Sequence, residues 1–319
     1  MFGKTKENIK GREATVISDL GFLSLTDTLE CGQCFRHELI CKDEDGYTEY
    51  MTVVGNNILI VGQRREGELI FYGLTDEELE DVAAPFFALQ NNLELMRADV
   101  VSKTSSEWLK NAAECAKGVA ILKQDPWEAL LSFIISQNNN IPRIRGIIRK
   151  ICAEYGVNLT LHSSGDKKCP LNKQSGIPCE EKCRECGCCY TFPSAEQIVR
   201  RPEGLLSSRP GFRYKFMCDA ANKVHSGEVD LAAIQAKCDY TYTLEQLKRI
   251  KGVGDKVASC VALFGFANLD AFPIDVWMKR AIDTYFDGHL DPGELGRYAG
   301  VAQQYIFHYI RNLSNTGNA

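Results

Sequence analysis

A chain of 319 residues is longer than one hydrophobic core usually organises, and at roughly 100–200 residues per domain two domains are expected. Hydrophobic residues make up 45% and charged residues 25%, which excludes a disordered chain, and the longest apolar stretches, such as residues 261–267, are too short to cross a bilayer. The net charge of −5, from 37 basic and 42 acidic residues, excludes a chain that is basic throughout but not one with local positive surface.

The N-terminus, MFGKTKENIKGREAT, lacks the apolar core of a secretory signal, so cytoplasmic residence is expected. Residues up to about 73 read as β-rich. Short strands are expected at residues 22–25, 35–37, 47–54, 58–61 and 69–72, with a turn at Gly55-Asn56-Asn57 and stops at Gly62 and Gly73. This pattern suits an antiparallel sheet of hairpins. Thr75 then caps a helix running to about Gln90, with the acids of DEELED (residues 76–81) in its first turns, where the helix dipole favours them. From Ser105 onward the texture is helical. Helices are expected at 105–116, 125–136, 142–155, 194–201, 214–225, 230–237, 243–250, 255–266, 275–285 and 292–313. Residues 156–192 show no periodicity and read as an insertion between helices.

That insertion holds six of the fourteen cysteines, spaced Cys169-x9-Cys179-x3-Cys183-x2-Cys186-x-Cys188-Cys189. Without an export signal a disulfide framework is not expected. Four thiolates, with Cys179, Cys183, Cys186 and Cys189 as the candidate set, could hold a structural zinc ion or an iron–sulfur cluster. Lys167, Lys168, Lys182 and Arg184 would offset their charge. A metal-free reactive loop and a packed insertion are the alternatives. The remaining cysteines read mainly as small buried hydrophobes.

Three basic runs lie in the C-terminal two-thirds. Arg143, Arg145, Arg149 and Lys150 form one, Arg209, Arg213 and Lys215 a second, and Lys248, Arg249, Lys251 and Lys256 a third. One such run is ordinarily a solvated helix face; three point to a positive stripe.

The sharpest local signal is LKRIKGVGDKVASCVALFGFA, residues 247–267. A helix ends near Ile250, Gly252-Val253-Gly254 makes a tight turn, and a second helix begins at Asp255. The two glycines allow positive φ and close approach to another surface. The turn amides and the second helix's N-terminus then form a cradle for a phosphate. An αα-turn between core helices is the plainer reading. The flanking lysines favour a helix-hairpin-helix that holds DNA backbone without reading sequence. Lys256 lies in the first turn of the second helix, where a cation opposes the dipole. Phosphate contact would explain it, as would service as an amine nucleophile. Nineteen residues on, Pro273 leads in extended form to Asp275, placed as a helix N-cap. A carboxylate there could simply cap. It could also stabilise positive charge on a sugar or handle protons for the amine.

GVGDKVASC followed by FPIDVWM resembles the helix-hairpin-helix DNA glycosylases with a catalytic lysine. DPWEALLSFIISQNNNIPR (residues 125–143), CGQCFR (31–36), PGFR (210–213) and YAGVAQQYIF (298–307) resemble, in the same order, the 8-oxoguanine DNA glycosylase/AP lyase family. The likeness runs from about residue 14 to 313 and leaves out only the cysteine-rich stretch.

The resemblance implies an α+β fold: a TATA-binding-protein-like antiparallel β domain over residues 1–118 and an all-α helix-hairpin-helix glycosylase domain over 119–319, with the insertion at about 157–192. It implies that Lys256 attacks C1′ of the damaged nucleotide, that a Schiff base and β-elimination follow, and that Asp275 assists attack and proton transfer. The base must be everted from the stack, because C1′ is inaccessible within it. In the lesion pocket the resemblance assigns Gly32 to the protonated N7 of 8-oxoguanine through its carbonyl. Cys260 and Phe307 would sandwich the base, Gln303 would meet its Watson–Crick edge, and Pro273 would line the pocket. On the DNA it assigns Asn138 to the gap, Arg143 and Arg213 to the orphaned cytosine, and Phe212 to a wedge beside it. Gly252, Val253 and Gly254 would contact backbone. By themselves Asn138-Asn139-Asn140 reads as a helix-breaking loop, Phe212, Cys260 and Phe307 as core, Gln303 as a surface amide and Arg213 as a phosphate contact. Two departures from the family pattern stand out: Trp277 where many eukaryotic members carry a phosphate-contacting histidine, and Phe212 in place of a common tyrosine.

The expected activity is therefore bifunctional excision of 8-oxoguanine from duplex DNA in base excision repair, with cytosine opposite the lesion. It needs no cofactor for catalysis. A monomer without membrane association is expected, nucleoid-associated if the source is prokaryotic. A related glycosylase acting on another damaged purine, a non-catalytic damage-binding or metal-sensing module, and a structural DNA-binding protein are the alternatives.

Overall fold

The computed structural model describes residues 2–160 and 187–315. The fold is α+β. Six antiparallel strands, β1 (Gly3–Ile9), β2 (Arg12–Ser18), β3 (His37–Lys42), β4 (Thr48–Val54), β5 (Asn57–Gln63) and β6 (Leu69–Tyr72), form one sheet in the order β1-β2-β6-β5-β4-β3. The first hairpin was not expected from sequence. β1 reads GKTKENI, its only buried residue is Ile9, and its lysines suit an edge strand that must not recruit another chain. Residues 22–25, expected as a strand, instead lead into a helix. Ser24 caps α1 (Leu25–Glu30) by accepting from the Asp27 amide at 3.3 Å. The strand expected at 35–37 begins only at His37.

After the sheet, Thr75 and Glu78 form a capping box. The helix it opens is not continuous to Gln90. α2 (Asp76–Glu78) widens into a π turn at Leu79–Ala83 and closes with α3 (Ala84–Phe86). A further helix, α4 (Leu93–Ser102), is capped by Asn92. The helices that follow are α5 (Glu107–Cys115), α6 (Pro126–Ser136), α7 (Ile141–Tyr155), α8 (Ala195–Arg200), α9 (Tyr214–His225), α10 (Leu231–Lys237), α11 (Tyr240–Leu247), α12 (Asp255–Phe264), α13 (Val276–Tyr285), α14 (Pro292–Leu295) and α15 (Ala299–Asn315). The helix expected at 243–250 starts and ends three residues earlier, because Asp239 is its cap. The one expected at 292–313 is two, separated by a tight turn at Gly296–Tyr298.

One apolar core runs through sheet and helices alike. It takes Ile17, Leu29 and Phe71 from the β-rich part, and Leu109, Leu130, Leu263 and Tyr305 from the helices. No described helix is long and apolar enough to cross a membrane.

Around the cysteine-rich stretch, the flanking chain is pinned together. Asn158 and Tyr190 form an antiparallel bridge, with Leu159 N–H donating to Cys189 O at 3.0 Å and Thr191 N–H to Val157 O at 3.0 Å. Cys189 is buried with its sulfur 3.8 Å from that of Met51 and 3.8 Å from that of Cys188. Cys169, Cys179, Cys183 and Cys186, with Lys167, Lys168, Lys182 and Arg184, lie outside the described residues. Among the described residues no group of three or more His, Cys, Asp or Glu is placed to hold a metal ion.

Candidate active site and nucleic-acid interface

The hairpin is built as its sequence implies. α11 ends at Leu247, Gly252 adopts φ +80°, and α12 begins after Gly254. Gly252 also has a steric reason: a Cβ there would lie 2.4 Å from the Phe216 ring. Gly254 is the N-cap and offers no side-chain acceptor to the first turn of α12. Those amides are left facing outward, as an anion site requires. Val253 points inward and is buried.

Lys256 and Asp275 are half-buried and line one cavity of about 50 Å³, room for a few water molecules. The Lys256 ammonium sits 5.4 Å from the ring centroid of Phe133. Phe133 in turn stacks on Phe264 at 5.5 Å and meets Phe35 edge-on at 5.7 Å, an aromatic floor beneath the amine. Asp275 caps α13. Its Oδ1 accepts from the amides of Trp277 at 3.0 Å and Met278 at 2.9 Å, which holds the carboxylate at the helix N-terminus. Trp277 is half-buried against the core, so its ring serves packing. Burial pushes the Cys260 thiol above its ordinary pKa, Asp275 adding to the rise and Lys256 opposing it. The three groups thus share one electrostatic environment, with Cys260 a neutral wall.

The rest of the lining contains every residue assigned to the lesion pocket: Gly32, Cys260, Pro273, Gln303 and Phe307. Gly32 has φ +88°, and its missing Cβ would lie 3.8 Å from the Phe307 ring and 3.5 Å from Arg311. Cys260, Gln303 and Pro273 are buried, Phe307 half-buried. Gln303, read alone as a surface amide, is 3% exposed. Phe133, Gln304, Cys31 and Phe264 line the same space and were not singled out from sequence. Nothing in their local pattern marks them, since each sits in an apolar helix or beside a motif residue.

Gln33 was also missed. Buried, it donates to the carbonyls of Thr28 (2.9 Å) and Ala120 (2.7 Å) and accepts from Leu122 N–H (2.8 Å), while its own carbonyl accepts from Gln124 (2.7 Å). The turn carrying Cys31 and Gly32 is thereby tied to the strap at 120–124.

Asn138, Arg143, Phe212 and the hairpin turn lie outside the cavity. Asn138 is exposed in the left-handed region (φ +46°), beyond α6. Asn140 caps α7 by accepting from Arg143 N–H at 3.0 Å, so the asparagine run both breaks one helix and starts the next. Phe212, read alone as core, is 48% exposed, a ring available to insert between bases. Arg143 is exposed; Arg213 is not. The Arg213 guanidinium donates to Gln137 O, to Asn138 O at 2.9 Å and to Pro210 O at 3.2 Å, and stacks 4.5 Å from the Phe212 centroid. Burial, then the charge of Arg143, draws its pKa below the ordinary value. Arg213 here clasps the Asn138 turn.

The positive stripe is narrower than the basic runs imply. Arg145 and Arg149 converge on Glu38 of β3, at 3.1 and 3.0 Å, and Lys248 pairs with Asp255 at 2.6 Å. Arg36 is buried against Glu128 at 2.9 Å, and that carboxylate holds its guanidinium above its ordinary pKa despite desolvation.

Comparison with known proteins gives this geometry a relative over its whole length. A solved structure described as MBOgg1 in complex with a low-affinity DNA ligand is 31% identical, covers 98% of this chain and 99% of its own, and superposes with a TM-score of 0.78. The chain belongs to the 8-oxoguanine DNA glycosylase family. The family model for the N-terminal domain of 8-oxoguanine DNA glycosylase matches residues 16–130. The 8-oxoguanine glycosylase/lyase of Clostridium acetobutylicum, solved with double-stranded DNA containing cytosine opposite 8-oxoguanine, is 27% identical, with 98% of each chain covered and a TM-score of 0.78. The Saccharomyces cerevisiae N-glycosylase/DNA lyase is 28% identical over 283 residues, 81% of this chain and 67% of the yeast protein.

Proposed function

We propose that the chain is a bifunctional DNA glycosylase and AP lyase that excises 8-oxoguanine from duplex DNA. The observation that carries the mechanism is that Lys256 and Asp275 line the same cavity as Gly32, Cys260 and Phe307. A nucleotide everted into that space brings C1′ toward the amine while its base lies among the pocket residues. Once the amine has shed a proton, Nζ bonds to C1′ as the N-glycosidic bond breaks. The electron pair of that bond leaves with the base, which takes up a proton. The sugar then opens to an iminium linking C1′ and Nζ. Loss of a C2′ proton expels the 3′ phosphate and nicks the strand on that side, and water finally hydrolyses the imine to release the lysine. Asp275, fixed by two amides, is the carboxylate that faces positive charge on the sugar and accepts protons.

Outside the cavity, the exposed Phe212 and Asn138 are groups suited to fill the space the base vacates, and Arg143 is an exposed guanidinium suited to the orphaned cytosine. The relatives solved on DNA, one with cytosine opposite 8-oxoguanine, support duplex DNA with that pairing as the substrate. Borohydride trapping on duplexes carrying 8-oxoguanine, an alkylpurine or undamaged guanine tests the reading. A covalent adduct is expected with 8-oxoguanine well above the others. Lys256→Gln should abolish adduct and nick while lesion binding persists. Equal trapping across the panel, or a nick made by the variant, overturns the assignment.

A further inference from the structure

Helix α15 places a second amide beside Gln303. Gln304 is 4% exposed and lines the same cavity. Its Nε2 donates to Gln303 Oε1 at 2.7 Å. Its own Oε1 is buried and has no hydrogen-bond partner among the described residues. A buried acceptor left empty is unfavourable, and proteins rarely leave one without a use. At the edge of a cavity that use is a ligand donor.

We propose that Gln304 is a specificity-determining residue of the base pocket: it fixes the orientation of the Gln303 amide and adds an acceptor of its own. With one lone pair of its oxygen held by Gln304, the Gln303 amide is fixed in orientation and keeps both its N–H groups for a ligand. Gln304 Oε1, buried and unpartnered among the described residues, adds an acceptor from the same lining. Together they match an edge carrying one acceptor next to donors. That is the Watson–Crick edge of a guanine-type base, with O6 beside N1–H and the 2-amino group. Adenine-type bases carry the reverse order, a donor at the 6-position beside an acceptor at N1, and leave the acceptor of Gln304 facing a lone pair. The pair therefore reads whether the everted purine is a guanine derivative, at an edge remote from the oxidised carbon.

This inference rests on the glycosylase reading above, and the test separates the two. Gln304→Leu keeps the volume and removes both polar atoms. Its excision of 8-oxoguanine should fall by about tenfold to a hundredfold, the loss expected for a buried hydrogen-bonded edge left unpaired. Cleavage of a preformed abasic site, which brings no base into the pocket, should stay within about twofold of the unchanged chain. Gln304→Glu keeps an acceptor and should recover part of the excision, with Gln303 turning to donate to it. If the unchanged chain fails to excise 8-oxoguanine, the functional reading falls first. If that chain excises the lesion and Gln304→Leu does so equally well, the role of Gln304 is overturned. An equal loss on lesion and abasic site overturns it too, because Gln304 would then act on the fold and not on the base.

Discussion

Asp275 carries two duties that substitution can separate. As a cap it accepts from two amides through one oxygen; in the mechanism proposed above its carboxylate faces the sugar. Asparagine caps helices about as well as aspartate, whereas alanine loses about 1 kcal/mol. Asp275→Asn should therefore melt close to the unchanged chain, Asp275→Ala should melt lower, and both should lose at least about a hundredfold in excision. Thermal melting beside single-turnover nicking checks this, and full activity in Asp275→Asn would reduce the residue to a cap. Lys256 and Asp275 were legible in sequence because each sits at a helix start announced by glycines or by proline. Gln303, Cys260 and Phe307 were legible only through family likeness, since an amide, a thiol and a ring in apolar helices look like core or surface. Gln33, Phe133 and Gln304 lie inside the family-like motifs, yet their residue types announced no role. Their importance lies in partners as far as 131 positions away, as Phe264 is from Phe133, or in an unfilled oxygen, and neither can be counted along a chain. The clasp made by Arg213 was not legible, because a backbone carbonyl leaves no mark in residue type.

At the level of elements, the two hairpin glycines differ in what they protect. Alanine at Gly252 must adopt φ +80° and press its Cβ against Phe216, at a cost of about 1–3 kcal/mol. Alanine at Gly254 meets nothing within 4 Å and has an ordinary φ of −98°, but it stands where a phosphate would approach. Gly252→Ala should lower both melting temperature and DNA affinity, and Gly254→Ala should lower affinity alone. Anisotropy titrations and melting curves read the two separately; unchanged affinity in Gly254→Ala would remove this turn from the interface. Most helices were visible beforehand because capping residues and 3.6-residue periodicity coincide, as at Asp125 and Asp230. β1 was hidden by its lysines and glutamate, α1 by a single capping serine inside an apolar run, and the break at Gly296 by a pattern that remains apolar across it.

Over the whole molecule, a count of lysines and arginines overstates the charge that reaches DNA. Arg145 and Arg149 serve the contact between α7 and β3 through Glu38, whereas Arg143, on the same helix, is exposed. Each phosphate neutralised contributes about −0.9 to the slope of log affinity against log salt. Arg143→Ala should thus weaken binding; if Arg143 meets a phosphate, the slope flattens by about that amount, and if it meets the cytosine the slope stays and opposite-base preference relaxes. Arg145→Ala should leave slope and preference alone and lower stability instead, since it strips a partner from a part-buried carboxylate. Binding isotherms at several salt concentrations, on duplexes with different opposite bases, decide between these outcomes. A change of slope in Arg145→Ala would mean that the Glu38 pairing opens on DNA.

The knot at Gln33 has a mechanical corollary. Through it the turn bearing Gly32 is lashed to residues 120–124, and Gln124 N–H donates at 2.8 Å to the carbonyl of Phe264, the last residue of the helix that carries Lys256. One jaw of the vise and the anvil beneath it are therefore a single casting. A cleft with room for only a few waters is expected to widen before a purine enters, and the give is expected on the opposite side, where Phe307 leans on Arg311 along the final helix.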